Sequence, residues 1–211
     1  REDVNVSCKG GTRVEIKGVS HNKWIPELTH NECFRQWALL KIKDKLNKLT
    51  SADKWSLTHK EVNSSFFIKE YEFINKLEKD NYKIVIINLP YFKGILSHFT
   101  QPGKTFANEL SDRLKVIACI EKPNMASSED LSPIISDEDF DTIRKVLNSK
   151  DNDAQLIIWG PQDDIPTAIE TVSERCIMAF NGVPPETRKA LEDGTTIFER
   201  VLPGAENVSR H

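Results

Sequence analysis

Two short alternating stretches, Asp3 to Cys8 and Thr12 to Lys17, flank the pair Gly10-Gly11 and constrain this chain more tightly than any other feature. A side-chain period of two on either side of a glycine pair reads as a β-hairpin. Pairing Val6 with Val14 sets Val4 opposite Ile16 and Asn5 opposite Glu15, through a loop of Lys9, Gly10 and Gly11. One face is then apolar, and the other collects Asp3, Asn5, Ser7, Arg13, Glu15 and Lys17. A two-residue loop would slip the register and mix the faces, so it is rejected.

Downstream, Thr29 followed by Glu32 has the form of a capping box and predicts a helix running to about Lys48. Leu39, Ile42, Leu46 and Leu49 form its apolar stripe, with Cys33, Trp37 and Leu40 beside it. Residues 50–61 are polar and irregular and read as a linker. Helical spacing resumes from Ser65 to Lys79, with Phe67, Tyr71, Ile74 and Leu77 on one side. Strands are then expected at Lys83 to Leu89, stopped by Pro90, at Val116 to Ile120, and at Gln155 to Trp159. Helices are expected at Thr105 to Leu114, from the Ser136 cap to about Leu147, and from near Pro166 to Gly182. The stretch 183–211 looks turn-rich. This rhythm by itself suggests an α/β module of two layers over residues 62–182.

Composition narrows the function classes. Hydrophobic residues make up 38% and charged residues 29%, enough to close a core and too ordered a mixture for a disordered chain. Net charge is -3, so whole-chain electrostatics do not mark a dedicated nucleic-acid binder, though a local basic face stays open. The longest apolar run, Ile84 to Ile87, is far too short to cross a bilayer. Cys8, Cys33, Cys119 and Cys176 form no CxxC pair and are expected to be buried thiols of a cytoplasmic protein. The chain opens inside a strand pattern without an initiator Met, which predicts an excised piece of a longer protein.

The polar hairpin face has two readings. Such a face is more often solvated than functional. Yet carboxylates are hard ligands for Mg²⁺ and cationic side chains stabilise phosphate oxygens, which together suit phosphoryl transfer. Other templates are missing: the sequence has no Walker loop, GxGxxG, HExxH or GxSxG. His30 and Cys33 could share a helical turn, but without a second pair a metal site there is rejected. Trp24, Trp37, Trp55 and Trp159 are expected to be core anchors rather than base-stacking platforms.

Longer strings carry more. Arg1 to Ser7, Gly10 to Val19, Glu32 with Arg35-Gln36 and Leu39 to Ile42, then Gly182-Val183-Pro184, Glu186-Thr187-Arg188, Asp193 to Thr196, Arg200 and Leu202-Pro203-Gly204, resemble the family of B-type and E-type subunits of tRNA-dependent amidotransferases. Between them, Leu89-Pro90, Phe92, Gly94, Phe99, Pro102-Gly103-Lys104, Phe106 and Glu109 to Asp112 resemble the insertion, called the GAD domain, that the E type shares with bacterial-type aspartyl-tRNA synthetases. Ala107 stands for a usual Gly, and Pro123 to Asp130 departs from a Gly-rich, His-containing segment.

The resemblance implies an α+β fold. Residues 1–49 would belong to a cradle (kinase) domain, 62–182 would form a two-layer GAD-type insertion with a sheet covered by helices, and 183–211 would return to the cradle. It further implies that the parent, with Mg²⁺ and ATP, phosphorylates the side chain of glutamate mischarged on tRNA(Gln), and that ammonia displaces the phosphate. The ammonia would come from a partner amidase, the asparaginase-like D-type subunit. Glu15 is then expected as a metal ligand, Asn5 and Asp3 as substrate- or nucleotide-binding groups, and Arg13 and Lys17 as catalytic charge stabilisers. Ligands contributed by other segments would be needed, so the piece alone is expected to be inactive and to hold neither Mg²⁺ nor ATP. Two further readings stay open: a non-catalytic insertion that docks tRNA or a partner protein, and a related domain without that role.

Overall fold

The computed structural model describes residues 2–202. The hairpin forms as its alternation requires: β1 (Glu2–Val6) runs antiparallel to β2 (Val14–Val19), with Val6 opposite Val14, Asn5 opposite Glu15 and Val4 opposite Ile16. Val6, Val14, Ile16 and Val19 are buried. The next registered pair is Glu2 with Val19, so Lys17 and Gly18 together oppose Asp3 as a bulge. Gly18 has φ +79 and open space where a Cβ would lie, so backbone conformation alone calls for glycine there.

Helix α1 (Ile25–Leu49) starts earlier than the capping box predicts. A single turn at Asn22–Trp24 leads into it, and Pro26 sits in its first turn, where its missing N–H costs nothing. Thr29 therefore lies inside the helix. Glu32 pairs with Arg35 one turn further along α1 instead of capping it. Leu39, Ile42 and Leu46 are buried as the stripe predicts, while Leu49, in the last turn, stays 43% exposed.

The polar stretch 50–61 is not a free linker. Trp55 is buried, donates from Nε1 to the Pro90 carbonyl at 2.7 Å, and packs on Phe92 and Phe180. Strand β3 (Thr58–Val62) follows at the edge of an antiparallel sheet ordered β3-β4-β8-β7, with β4 (Tyr82–Leu89), β7 (Met125–Ser127) and β8 (Ala154–Pro161). Because β3 is an edge strand with exposed side chains, nothing apolar marks it in the sequence.

The two central strands are buried on both faces. Val85, Ile87, Leu89, Leu156 and Ile158 enter a large core with α3 (Phe106–Ile117) and α5 (Ile165–Ala179), and Ile84, Ile86, Ile157 and Trp159 enter a smaller one with α2 (Glu72–Lys79) and α4 (Asp137–Val146). The arrangement is mixed α+β, with five α-helices among the described residues. Its central sheet is covered on both sides, which makes three layers rather than the expected two. The α/β rhythm misleads because every pairing in this sheet is antiparallel.

Three other elements differ from expectation. Helix α2 keeps only the second half of the predicted Ser65 to Lys79 span. The predicted strand at Val116 to Ile120 is the end of α3 followed by a turn with Cys119 at φ +59, since β-branched residues such as Val116 and Ile117 are only mildly disfavoured in a helix. A small hairpin, β5 (Phe99–Gln101) with β6 (Lys104–Thr105), precedes α3.

The stretch after Gly182 is two strands, not turns: β9 (Glu186–Ala190) pairs parallel with β2, and β10 (Thr196–Val201) pairs antiparallel with β9. They extend the hairpin into a second sheet ordered β1-β2-β9-β10. The predicted turn at Pro203-Gly204 lies outside the described residues. Val6, Ile16, Leu39, Val85, Leu110 and Val172 belong to one continuous core, so hairpin, helices and central sheet pack together.

Candidate functional site

Cross-strand register assembles a polar row on the outer face of the β1-β2-β9-β10 sheet. Asn5 opposes Glu15, Glu15 opposes Thr187, and Thr187 opposes Arg200. The next row holds Lys17, Lys189 and Ile197. Glu15 and Lys17 form a loose ion pair at 3.7 Å, with their side chains 22% and 31% exposed. Asp3, Asn5 and Arg13 are exposed, Asp3 standing at the bulge on the margin of the face. Asn5, Glu15 and Lys17 are thus brought together, whereas Arg13 lies in the loop just before β2. Thr187, Lys189 and Arg200 join them across β9 and β10, a set hidden in the sequence because this stretch resembles turns.

The chemistry of such a face is limited and legible. One carboxylate next to one carboxamide oxygen suits a hard cation that takes its remaining ligands from water and phosphate. Lys17 and Lys189, side by side, suit the negative charge that phosphate carries. Among the described residues no three His, Cys, Asp or Glu side chains gather as a metal site. Glu15 and Asn5 could supply at most part of a magnesium shell, the remaining ligands having to come from water, a ligand or other segments.

Behind this face lies a buried ionic cluster. Arg35 of α1 donates from Nε and Nη2 to Glu109 of α3 at 2.7 and 3.2 Å, from Nη1 to Glu32 at 2.9 Å, and also to Glu186 of β9. Arg113 reaches Glu186 at 2.9 Å, and Arg188 reaches Glu186 at 3.1 Å and the Thr196 hydroxyl at 2.7 Å. Arg175 of α5 lies 3.9 Å from Glu109 and 4.9 Å from the Phe106 ring centre. Burial raises the Glu109 carboxyl, but Arg35, Arg188 and Arg175 overcome it and hold it well below the usual carboxylate range. Burial likewise raises Glu186, and Arg35, Arg113 and Arg188 bring it below its ordinary value. Burial pulls the Arg175 guanidinium down to about 10, with Glu109 opposing.

This cluster fixes the face from beneath. Glu186 and Arg188 point inward from the strand whose intervening residue, Thr187, sits beside Glu15. Gln36 adds a brace: it donates from Nε2 to the Thr12 carbonyl at 3.0 Å and accepts at Oε1 from the Cys8 N–H at 3.1 Å. Asn31 donates to the Gly194 carbonyl at 2.8 Å, tying α1 to the β9–β10 turn. The role of Glu32, Arg35, Gln36, Glu109, Glu186 and Arg188 was visible in sequence only as fixed strings, and at best in the i,i+3 spacing of Glu32 and Arg35.

The cysteines need a correction. Cys8 and Cys33 are joined as a disulfide with Cα atoms 5.9 Å apart, Cys176 is buried, and Cys119 is exposed. The Gln36 brace folds the hairpin loop over α1 and brings the two sulfurs together, which their separation in sequence does not reveal. Trp55 and Trp159 are core anchors as expected, whereas Trp24 and Trp37 are exposed. Among the described residues no helix is long and apolar enough to cross a membrane.

Comparison with known proteins narrows the reading. The chain is 36% identical over 97% of its length to the E-type subunit of glutamyl-tRNA(Gln) amidotransferase from Sulfurisphaera tokodaii. Identity to the subunits of the same name from Methanocaldococcus jannaschii and Pyrococcus furiosus is 35% and 36%, again over 97% of this chain. Over nearly its whole length the chain is similar to amidotransferase E-type subunits. No family model matches it. It spans about a third of the length of these relatives. The E-type likeness runs through both sheets, so it takes in the outer face and the buried ionic cluster alike.

Proposed function

We propose that this chain forms one wall of the site at which an E-type amidotransferase protein phosphorylates the glutamate side chain of glutamyl-tRNA(Gln) with ATP. Ammonia then displaces the phosphate to give the amide. The observation that carries this reading is the row Asn5, Glu15 and Thr187 with Lys17 beside it, Asn5 exposed, Glu15 and Lys17 half-buried and Thr187 buried, braced by the ionic cluster. Glu15 holds Mg²⁺, Asn5 and Asp3 contact nucleotide or substrate, and Arg13 and Lys17 neutralise charge on the transferring phosphoryl group. Magnesium held there would supply positive charge to offset the phosphate oxygens.

The ligase activity belongs to the whole protein, in the cytoplasm, with ammonia from the asparaginase-like D-type partner. Residues 62–182 are read as the GAD-type insertion. The test is phosphorylation of glutamyl-tRNA(Gln) by the full-length protein and its Glu15→Ala variant with Mg²⁺ and ATP. Loss of at least about a hundredfold is expected for removal of a group that stabilises transition-state charge. Undiminished activity in that variant overturns the proposal.

A further inference from the structure

Two tethers hold the loop after β1 on α1, one covalent and one not. Cys8 in that loop is joined to Cys33 of α1 with Cα atoms 5.9 Å apart. Gln36, one turn further along the helix, accepts at Oε1 from the Cys8 N–H at 3.1 Å. Its Nε2 donates to the Thr12 and Val6 carbonyls at 3.0 and 3.3 Å. The Gly11 N–H closes the loop on the Cys8 carbonyl at 2.8 Å. Behind it, Val6, Val14, Ile16 and Leu39 share one buried core. With the S–S bond open, the hydrogen bonds and this core would still seat the loop and keep the two sulfurs close.

The bland reading is a permanent staple. Staples serve small secreted domains that cannot close a core, whereas bridges in cytoplasmic proteins are more often transient or redox-sensing. This chain closes its core without the bridge, and Cys8 and Cys33 are only half-buried, within reach of a small thiol. The other cysteines differ. Burial pushes the Cys176 thiol well above its ordinary value, which keeps it protonated and inert, and Cys119 is exposed without a partner. The bridge also stands at a sensitive place. Asn5, three residues before Cys8, opposes Glu15, and Cys33 lies between Glu32 and Arg35 of the buried ionic cluster.

We propose that Cys8 and Cys33 form a reversible redox switch: closed, the disulfide pins the hairpin to α1; opened by a dithiol, the hairpin rests on Gln36 and the core alone. In the opening step a thiolate of the dithiol attacks one sulfur of the bridge, the S–S bond breaks, and the released cysteine takes up a proton. The second thiolate of the reductant then attacks the mixed disulfide and frees the other cysteine. Two electrons have passed to the pair, and the dithiol has become a disulfide. The effect on the Glu15 row rests on the function proposed above, while the switch itself does not.

The test holds the full-length protein in mixtures of reduced and oxidised dithiothreitol and reads the open fraction by alkylation and mass spectrometry. Cys8 and Cys33 should open and close together in the native protein, with Cys176 unlabelled throughout. Hydrogen exchange in the hairpin peptide should run at least about tenfold faster in the open state, while β4 and β8 keep their rates, because local opening is distinct from global unfolding. Cys8→Ser combined with Cys33→Ser should exchange at the open rate in every mixture. Phosphorylation of glutamyl-tRNA(Gln) should slow about tenfold on opening, as a loosened positioning group predicts. A pair that opens only when the protein unfolds refutes the proposal, as does hairpin exchange that is the same in both states. Equal phosphorylation by the two states refutes its link to the Glu15 row. If neither state phosphorylates, the proposed function fails, and hydrogen exchange still decides the switch.

Discussion

Replacing Glu109 with Gln keeps the size of a side chain at the centre of the buried cluster and removes its charge. In the native chain three carboxylates, Glu32, Glu109 and Glu186, face four buried guanidiniums, Arg35, Arg113, Arg175 and Arg188. The difference is 4 − 3, or +1, and the substitution makes it 4 − 2, or +2. Glu109 accepts from Arg35 at 2.7 and 3.2 Å and from Arg188 at 3.4 Å, and it lies 3.9 Å from Arg175. A carboxamide can accept at one oxygen only, and its NH2 meets guanidinium donors.

Breaking one side of a buried ion pair costs about 3–5 kcal/mol, because the partner charge stays in a low-dielectric interior. For a chain of this size that corresponds to a fall in Tm of roughly 6–20 °C. The native Glu109 pKa is depressed. Its contribution to stability is therefore fully present above the unfolded carboxylate pKa of about 4.3 and is lost as pH falls through the lower folded value. Glu109→Gln should accordingly lose less stability on acidification than the native chain. Urea denaturation at pH 7 and below pH 4, beside Glu61→Gln at an exposed pair 3.8 Å from Lys83, reads both effects. The control should shift by less than about 0.5 kcal/mol. A Glu109→Gln loss below about 1 kcal/mol, or an acid dependence steeper than native, would refute this account of the cluster.

Two further outcomes follow from the hairpin brace. A Cβ at Gly11 would stand 2.0 Å from Gln36 Oε1 and 3.1 Å from the Cys8 carbonyl, so Gly11→Ala should displace the Gln36 amide and cost about 1–3 kcal/mol in urea midpoint analysis through lost buried hydrogen bonds. Alkylation of the denatured, unreduced chain should label Cys119 and Cys176 only, and reduction should lower stability by about 2–4 kcal/mol for the loop between Cys8 and Cys33.

Where a segment is amphipathic or buried on both faces, the chain could be read directly. The hairpin register was legible because alternation allows one pairing that keeps Val4, Val6, Val14 and Ile16 together. Strands β4 and β8 and the Ser136 cap, which accepts from the Asp139 N–H, were legible for equally local reasons. Elements that pair through the backbone and carry charge on both faces were not. Strand β9 reads Glu-Thr-Arg-Lys-Ala, and its inward charges make sense only once Glu186 and Arg188 meet Arg35, Arg113 and Glu109. Strand β3 lacked an apolar face, and the Thr29 box lost to Pro26 because the turn before it already organised the helix start.

The sequence by itself determined the hairpin, its register, which face holds Glu15, and the family likeness, since all of these follow from neighbours in the chain or from strings of residues. Only the tertiary structure decided that β9 and β10 complete that face, that Thr187 and Lys189 stand beside Glu15 and Lys17, and that Cys8 meets Cys33. It also decided that seven charged side chains share one buried cluster beneath the sheet. The reason is that a buried charge is tolerated only through partners from distant segments, and no local pattern records where those partners will be.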